Sequence, residues 1–298
     1  MKIRVAIVGY GNIGKYALEA VQQETDMELA GLVVRTANTS LAQRLKVPVV
    51  VDIGELGPVD VALLCIPTRA VREEAMKYLA RGIRTVDSFD IHGEEMWDLK
   101  TYLDRVCRDN AAAAIISAGW DPGSDSLVRA IMSVVAPRGV TYTNFGPGMS
   151  MGHSVVAKSL AGVEDAVSLT IPQGTGLHRR LVYVKLKPGA DAGEIEARIK
   201  TDSYFRGNET FVYVVDDVEP YKDMGHGVAI ERKGRSGATH NQLLSYRHRI
   251  NNPAGTSQVM VAAARAVTRQ QPGCYTMLEV PLADYLNMSR HELVTKMI

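Results

Sequence analysis

Short apolar runs alternate with stretches of helical period along the first part of the chain. Residues 3–8 read as a strand, 15–23 as a helix and 29–34 as a second strand. Residues 47–51 form a short strand. Residues 59–65 are continuously apolar, the pattern of a strand buried on both faces of a parallel sheet. After Ile66-Pro67-Thr68-Arg69, with Thr68 expected as an N-cap, Val71, Ala75, Met76 and Leu79 recur at helical spacing until Gly82 stops the helix. Residues 84–88 and 113–117 are further strands. Between them, residues 94–109 place Leu99, Leu103, Val106 and Cys107 on one helical face. Repeated βα units predict an α/β fold with a doubly wound parallel sheet.

The texture changes after Gly119. Residues 141–145, 166–171, 180–186, 210–215, 228–232 and 242–250 alternate Thr, Tyr and Val between Gly-rich turns, which predicts a largely antiparallel sheet. Helices are fewer there, over 125–135, 155–161 and 194–201. An alanine- and valine-rich helix over 257–269 is expected to return the chain to the first domain.

Between the first strand and the first helix stands Gly9-Tyr10-Gly11-Asn12-Ile13-Gly14. A strand, glycine turn and helix in this order suit a dinucleotide pyrophosphate. The first glycine makes the turn, the second admits phosphate, and the third lets helix pack on strand. The helix N-terminus adds free N–H groups and a positive dipole end. The second strand ends Val33-Val34-Arg35-Thr36, without the acid that holds a ribose 2′-OH. Arg35 instead suits a 2′-phosphate, or is a solvated arginine starting a loop; the expected cofactor is NADP rather than NAD.

A length of 298 residues suits two domains. Lys and Arg exceed Asp and Glu by 34 − 33 = 1, so no basic excess points to nucleic acid or an anionic membrane. The longest apolar runs are strand-length, and the chain enters a strand at once, which argues against a membrane span or signal peptide. Cys65, Cys107 and Cys274 are odd in number and far apart, implying reduced thiols in the cytoplasm. The seven histidines show no metal-ligand spacing, so no metal site is expected.

Ligands of open α/β sheets bind beyond the carboxyl ends of the strands. Three such ends carry unusual residues: Cys65-Ile66-Pro67-Thr68-Arg69, expected against the cofactor; Val86-Asp87-Ser88-Phe89-Asp90-Ile91-His92; and Ser117-Ala118-Gly119-Trp120-Asp121-Pro122-Gly123. Asp90 and Asp121 would share a crevice. Two carboxylates there suit an ammonium group, or serve as turn caps. The second domain adds a glycine loop, 145–154, and two basic stretches, His178-Arg179-Arg180 and Gly225-His226-Gly227. These are cations for a carboxylate, or a solvated strand edge and a loop histidine.

With these residues the chain resembles meso-diaminopimelate dehydrogenases nearly end to end. The resemblance rests on the GYGNIG turn, Ser88-Phe89-Asp90, the GWDPG run, and Gly146-Pro147-Gly148-x-Ser150-x-Gly152-His153-Ser154. It continues through Thr170-Ile171-Pro172, the Met224 to Gly227 loop, and Asn252-Pro253 before Ser257-Gln258. It implies a Rossmann doubly wound parallel sheet over 1–118, with 253–298 packing back onto it. Residues 119–252 would be an α+β substrate-binding and dimerisation domain with a mixed, largely antiparallel sheet. It implies a cytoplasmic homodimer or higher homo-oligomer. The implied reaction is NADP-dependent, reversible oxidative deamination of the D-centre of meso-2,6-diaminopimelate.

The resemblance places Asp90 and Asp121 around the reacting amino group, with Met151, Gly152 and His153 beside the reacting centre. Thr170, Arg180, His226 and Asn252 would hold the distal L-amino-acid end. A carboxylate or His153 would take the ammonium proton. Cofactor contacts would come from Gly9, Gly11, Asn12, Ile13, Gly14, Arg35, Thr36, Cys65, Pro67, Thr68, Arg69, Ser88 and Phe89. Two features depart from the family. Phe145 stands where many members have an indole, and the 171–178 segment is short, implying a roomier distal pocket and tolerance of other D-amino acids. The alternatives are another NADP reductase of similar plan, acting on a semialdehyde or cyclic imine, or an NADP-binding sensor without chemistry.

Overall fold

Strand β1 (Ile3–Val8) leads through the glycine turn into helix α1 (Asn12–Gln23), and β2 (Met27–Val33) returns parallel to β1. The computed structural model describes residues 2–36, 38–222 and 225–298. Helix α2 (Thr39–Leu45) starts at Asn38, whose side chain accepts the Leu41 N–H at 2.9 Å. Then follow β3 (Val49–Val50), β4 (Val61–Leu64), α3 (Val71–Leu79), β5 (Arg84–Asp87), α4 (Glu94–Asp109) and β6 (Ala113–Ile116). All four residues of β4 are buried, and the strand lies between β1 and β5. Met76, expected inward, is exposed on α3. Thr68 does not cap: Pro67 precedes a short 3₁₀ turn, and the Thr68 hydroxyl turns to Asp90.

Helix α5 (Ser124–Val135) carries the boundary between two compact units, Met1–Leu127 with Pro253–Ile298 and Val128–Asn252. The boundary is not at 118/119, where the texture changes, because the 119–123 turn is tied to the parallel sheet. Ala118 N–H donates to the Asp87 carbonyl at 2.7 Å, and Ser124 N–H to that of Gly119 at 3.1 Å.

The second unit contains β7 (Arg138–Phe145), β8 (Gly148–Met149), α6 (Met151–Ser159), β9 (Val163–Gly174), β10 (Leu177–Leu186), α7 (Ala192–Thr201), β11 (Glu209–Val214), β12 (Gly225–Ser236) and β13 (Thr239–Asn251). They form two sheets, β11-β10-β9-β8 and β13-β12-β7, antiparallel except for the β10–β11 pair. The chain passes from one sheet to the other at Gly146-Pro147-Gly148, where backbones nearly touch. A Cβ on Gly146 would lie 2.2 Å from the Thr170 carbonyl oxygen, at a φ of +94°. Val156, Val182, Ile195, Ile199 and Phe205 fill the core beneath α6 and α7.

The chain ends in the first unit with α8 (Asn252–Val267), β14 (Gly273–Thr276) and α9 (Arg290–Met297). Helix α8 starts at Asn252, earlier than the alanine-rich pattern indicates, with Pro253 in its first turn where the missing N–H is tolerated. Strand β14 extends the all-parallel sheet to seven strands, β14-β6-β5-β4-β1-β2-β3. Val5, Ile7, Leu63 and Ile115 pack on α1 and the small residues of α8. Ala6, Leu64 and Ile116 pack on α3 and α4. With every pair parallel, all the strands' carboxyl ends reach one edge of the sheet.

Candidate active site

In the first unit the GYGNIG turn meets the steric demands of a nucleotide cradle. Gly9 has φ +89°, and a Cβ there would lie 2.6 Å from the Cys65 carbonyl oxygen. A Cβ on Gly14 would lie 2.2 Å from the Gly9 carbonyl oxygen, so helix and turn pack without side chains between them. Around Gly11 a Cβ would meet nothing within 4 Å, so the backbone is approachable where phosphate would come. Gly11 is the N-cap of α1 and offers no capping side chain, leaving the N–H groups of Asn12 and Ile13 without a cap. Arg35 and Thr36 lie exposed just beyond β2. These residues fit an NADP-type dinucleotide. Cys65 is buried, and desolvation pushes its thiol up to about 12, so it lines the wall as a neutral group. Pro67, Thr68 and Arg69 follow on the same strand end.

Ser88, Phe89 and Asp90 leave β5, and Asp121 lies in the turn after β6. The two strands are neighbours, pairing Thr85 with Ala114 and Val86 with Ile115. Phe89 is buried, while Asp90 and Asp121 are half-buried. The Thr68 hydroxyl donates to Asp90 Oδ1 at 2.5 Å, fixing that carboxylate. Behind them, Asp87 accepts the N–H groups of Phe89 and Ser117.

In the second unit Arg180 dominates. It sits on β10 opposite Thr170 of β9, only 9% exposed, and its guanidinium donates to the Thr170 hydroxyl. Its Nε has no partner, and it forms no ion pair among the described residues. Burial lowers its pKa to about 10, which leaves it charged at neutral pH. Arg232, the other buried arginine of this unit, also lacks a carboxylate among the described residues, but its guanidinium is satisfied by the Ala136 and Pro137 carbonyls and the Thr141 hydroxyl; Arg180 keeps donors to spare, which suits an anionic ligand. Its neighbours in sequence differ. Arg179, on the opposite face, pairs with Glu209 at 2.8 Å at the surface. His178 accepts the Phe145 N–H at Nε2, 2.8 Å away. Burial and then the charge of Arg180 lower His178 to about 4, so it is not the cation the sequence allows. Phe145 packs against the rings of His178 and His226, at 5.3 and 6.5 Å between centroids. His226 is buried, with Nδ1 3.0 Å from the Gly227 carbonyl oxygen, which can only accept; the proton therefore sits on Nδ1. Asn252 is also buried. Met224 lies outside the described residues.

His153 is not arranged as a base. Its Nε2 faces the Tyr204 carbonyl oxygen at 2.7 Å and must carry the proton. Nδ1 therefore accepts from the Ser150 hydroxyl, also at 2.7 Å. Burial, with the charge of Arg180, pushes the ring down to about 3. The lone pair that would take a substrate proton is occupied, so His153 holds Ser150 at the start of α6. Ser150 is the N-cap of that helix but makes no side-chain cap, so Met151 and Gly152 open the helix without one.

Comparison with known proteins gives the family. Residues 119–178 match the model of the diaminopimelic acid dehydrogenase C-terminal domain, and residues 3–86 that of the oxidoreductase family with an NAD-binding Rossmann fold. The chain is 54% identical to meso-diaminopimelate D-dehydrogenase of Bacteroides fragilis, across 100% of this chain and 99% of the relative. The chain belongs to the meso-diaminopimelate dehydrogenase family. Its fold superposes on the C. glutamicum enzyme in complex with diaminopimelate, with TM-score 0.90 and 29% identity over 100% and 99% of the two chains. An engineered D-amino acid dehydrogenase bound to NADP+ matches with TM-score 0.90 and 28% identity over 100% of each chain.

The sequence gives Asp87 and Ser150 no role although both lie in the segments singled out, and it does not point to Tyr204. Ser150 lay inside the glycine loop and was readable as part of the motif. Tyr204 acts through its carbonyl oxygen, which no side-chain pattern reports.

Proposed function

We propose that the chain catalyses NADP-dependent, reversible oxidative deamination of the D-centre of meso-2,6-diaminopimelate. Water is consumed, and L-2-amino-6-oxopimelate, ammonia and NADPH are formed. The observation that carries this reading is Arg180, a buried guanidinium with no carboxylate partner among the described residues. The substrate carries an ammonium and a carboxylate at each end, so its site needs both signs twice.

Asp90 and Asp121 accept from the D-centre ammonium. Arg180 takes the L-centre carboxylate through its planar fork, supported by Thr170, His226 and Asn252. Gly9, Gly11, Gly14 and Arg35 would hold NADP+, which when bound takes up the hydride from the D-centre Cα. The ammonium must first lose a proton, so that the nitrogen lone pair can assist departure of the hydride. With the Nδ1 of His153 occupied, one of the two carboxylates receives that proton. It later returns a proton as water adds to the imine carbon and ammonia leaves.

The enzyme works as a homodimer or larger homo-oligomer. Ile131, Val134 and Val135 on α5 are 56%, 81% and 46% exposed, an apolar stripe suited to a second copy. A cytoplasmic setting accords with three free, buried cysteines. The test is formation of NADPH with meso-diaminopimelate, with its LL isomer and with D-lysine. Reduction is expected with the meso compound and none with LL, which lacks a D-centre. Equal rates with meso and LL, or no reduction with any amino acid, would refute the assignment.

A further inference from the structure

Asp87 ends β5 and has no part in the chemistry above, yet its carboxylate is fully buried. One oxygen, Oδ1, accepts two backbone N–H groups, from Phe89 at 2.9 Å and Ser117 at 3.0 Å. Its own carbonyl takes a third, from Ala118 at 2.7 Å. Phe89 directly precedes Asp90, and Ser117 begins the segment that reaches Asp121. The backbone register between β5 and β6 stops at Val86 and Ile115. Beyond it the Ala118 backbone bond is joined by the carboxylate, which holds Phe89 of its own strand end and Ser117 of the neighbouring one on a single oxygen. Ser117 has φ +56°, a conformation that a residue with a Cβ holds only under constraint from its surroundings.

The arrangement is unfavourable for stability. Asp87 Oδ2 and the hydroxyls of Ser117 and Thr85 are buried without partners among the described residues. Atoms left so cost a fold stability, and each calls for a reason. Desolvation pushes the Asp87 carboxyl up to about 6, a further sign that its burial is costly.

We propose that Asp87 is a positioning residue that sets the separation of Asp90 and Asp121, and through them the placement of the substrate ammonium. This rests on the reading of those two acids as the ammonium site. What matters is the position of one acceptor oxygen, because a single atom makes both bonds. Asp87→Asn keeps that oxygen and Asp87→Ala removes it.

The experiment measures kcat and KM for meso-diaminopimelate and NADP+ affinity in the full-length variants, with Asp90→Ala and Asp121→Ala alongside. Asp87→Asn should stay within about threefold of the parent in kcat. Asp87→Ala should lose about 100-fold, the scale of a small misplacement at the reacting centre. NADP+ affinity should fall far less than kcat in either, since the glycine cradle and Arg35 lie on other strands and only Ser88 and Phe89 of the cofactor contacts leave β5. Unchanged kcat per NADP-binding site in Asp87→Ala would overturn the proposal. So would equal loss in both variants, which would mean charge rather than placement.

Should Asp87→Ala fail to fold, hydrogen exchange at the Phe89 and Ser117 amides decides. Both should be protected in the parent and in Asp87→Asn; fast exchange in the parent would overturn the clamp. Normal activity of Asp90→Ala and Asp121→Ala would instead refute the ammonium site itself, and the positioning role with it.

Discussion

Both units bury arginines, and Arg265 of the first and Arg180 of the second are treated in opposite ways; Arg232, also buried in the second, is satisfied by the Ala136 and Pro137 carbonyls and the Thr141 hydroxyl. Arg265 on α8, 3% exposed, meets Asp26 at 2.5 Å, Glu24 at 2.6 Å and the Tyr285 carbonyl at 3.0 Å. Burial works against its charge, but the hydrogen bonds and charges of Asp26 and Glu24 prevail and its pKa is raised. Arg180 is buried to a similar degree, yet it has a hydroxyl for company and its pKa is lowered by burial. The first arginine is complete within the fold and fastens α8 to the turn after α1. The second keeps an unpartnered Nε, as the recognition role proposed for it requires.

The largest effect expected from this contrast is on stability at Arg265. Arg265→Met leaves two acids facing an apolar chain and should lower stability by about 3–5 kcal/mol in denaturant titration, the scale of a broken buried pair. Arg180→Met should leave stability within about 1 kcal/mol or raise it, because it removes an uncompensated charge. Comparable losses in the two variants would erase the distinction.

Asp121→Asn should next lower kcat/KM by about 2 kcal/mol or more, the scale of a charged hydrogen bond, while thermal stability holds to within about 1 kcal/mol. A variant that melts easily, or that turns over substrate normally, would make Asp121 a turn residue. Arg35→Ala should weaken NADP+ by about ten- to a hundredfold and spare NAD+, measured by titration of each cofactor.

The smallest effect is on acid stability. His153 and His178 are held at about 3 and about 4, below the usual 6.5, by burial and by Arg180. The unfolded chain protonates both as pH falls below about 6.5, and the folded chain resists until far lower. Their contribution is therefore complete above that pH and lost progressively on acidification. The Tm should fall between about pH 7.5 and about pH 5, less steeply in Arg180→Met, which lacks the repelling charge. A Tm independent of pH over that range would contradict the buried neutral rings.

Where a requirement is local, the sequence reports it. The glycines of the first turn are demanded by backbone contacts within a few residues and by Cys65. The helix over 94–109 is bounded as its pattern indicates. Strand β14 escaped because four residues including a glycine show no period. Helix α9 escaped although Ser289 and Glu292 form a capping box, a local signal that was present. Alternation on β10 separates Arg179 from Arg180 but does not say which face is buried. The roles of Asp87, Thr68 and His153 depend on partners 30, 22 and 51 residues away, and one partner is only a backbone carbonyl. Such pairings exist only once the chain has folded.

Arg180 is proposed to receive the distal carboxylate of the substrate. That role is tested most directly by kcat/KM of the parent and Arg180→Lys, each with meso-diaminopimelate and with D-lysine, which has no distal carboxylate. Lysine keeps the charge and loses the planar fork. The loss should be about 2 kcal/mol or more with meso-diaminopimelate and much smaller with D-lysine. Equal losses on the two substrates would contradict that role and make Arg180 part of the fold.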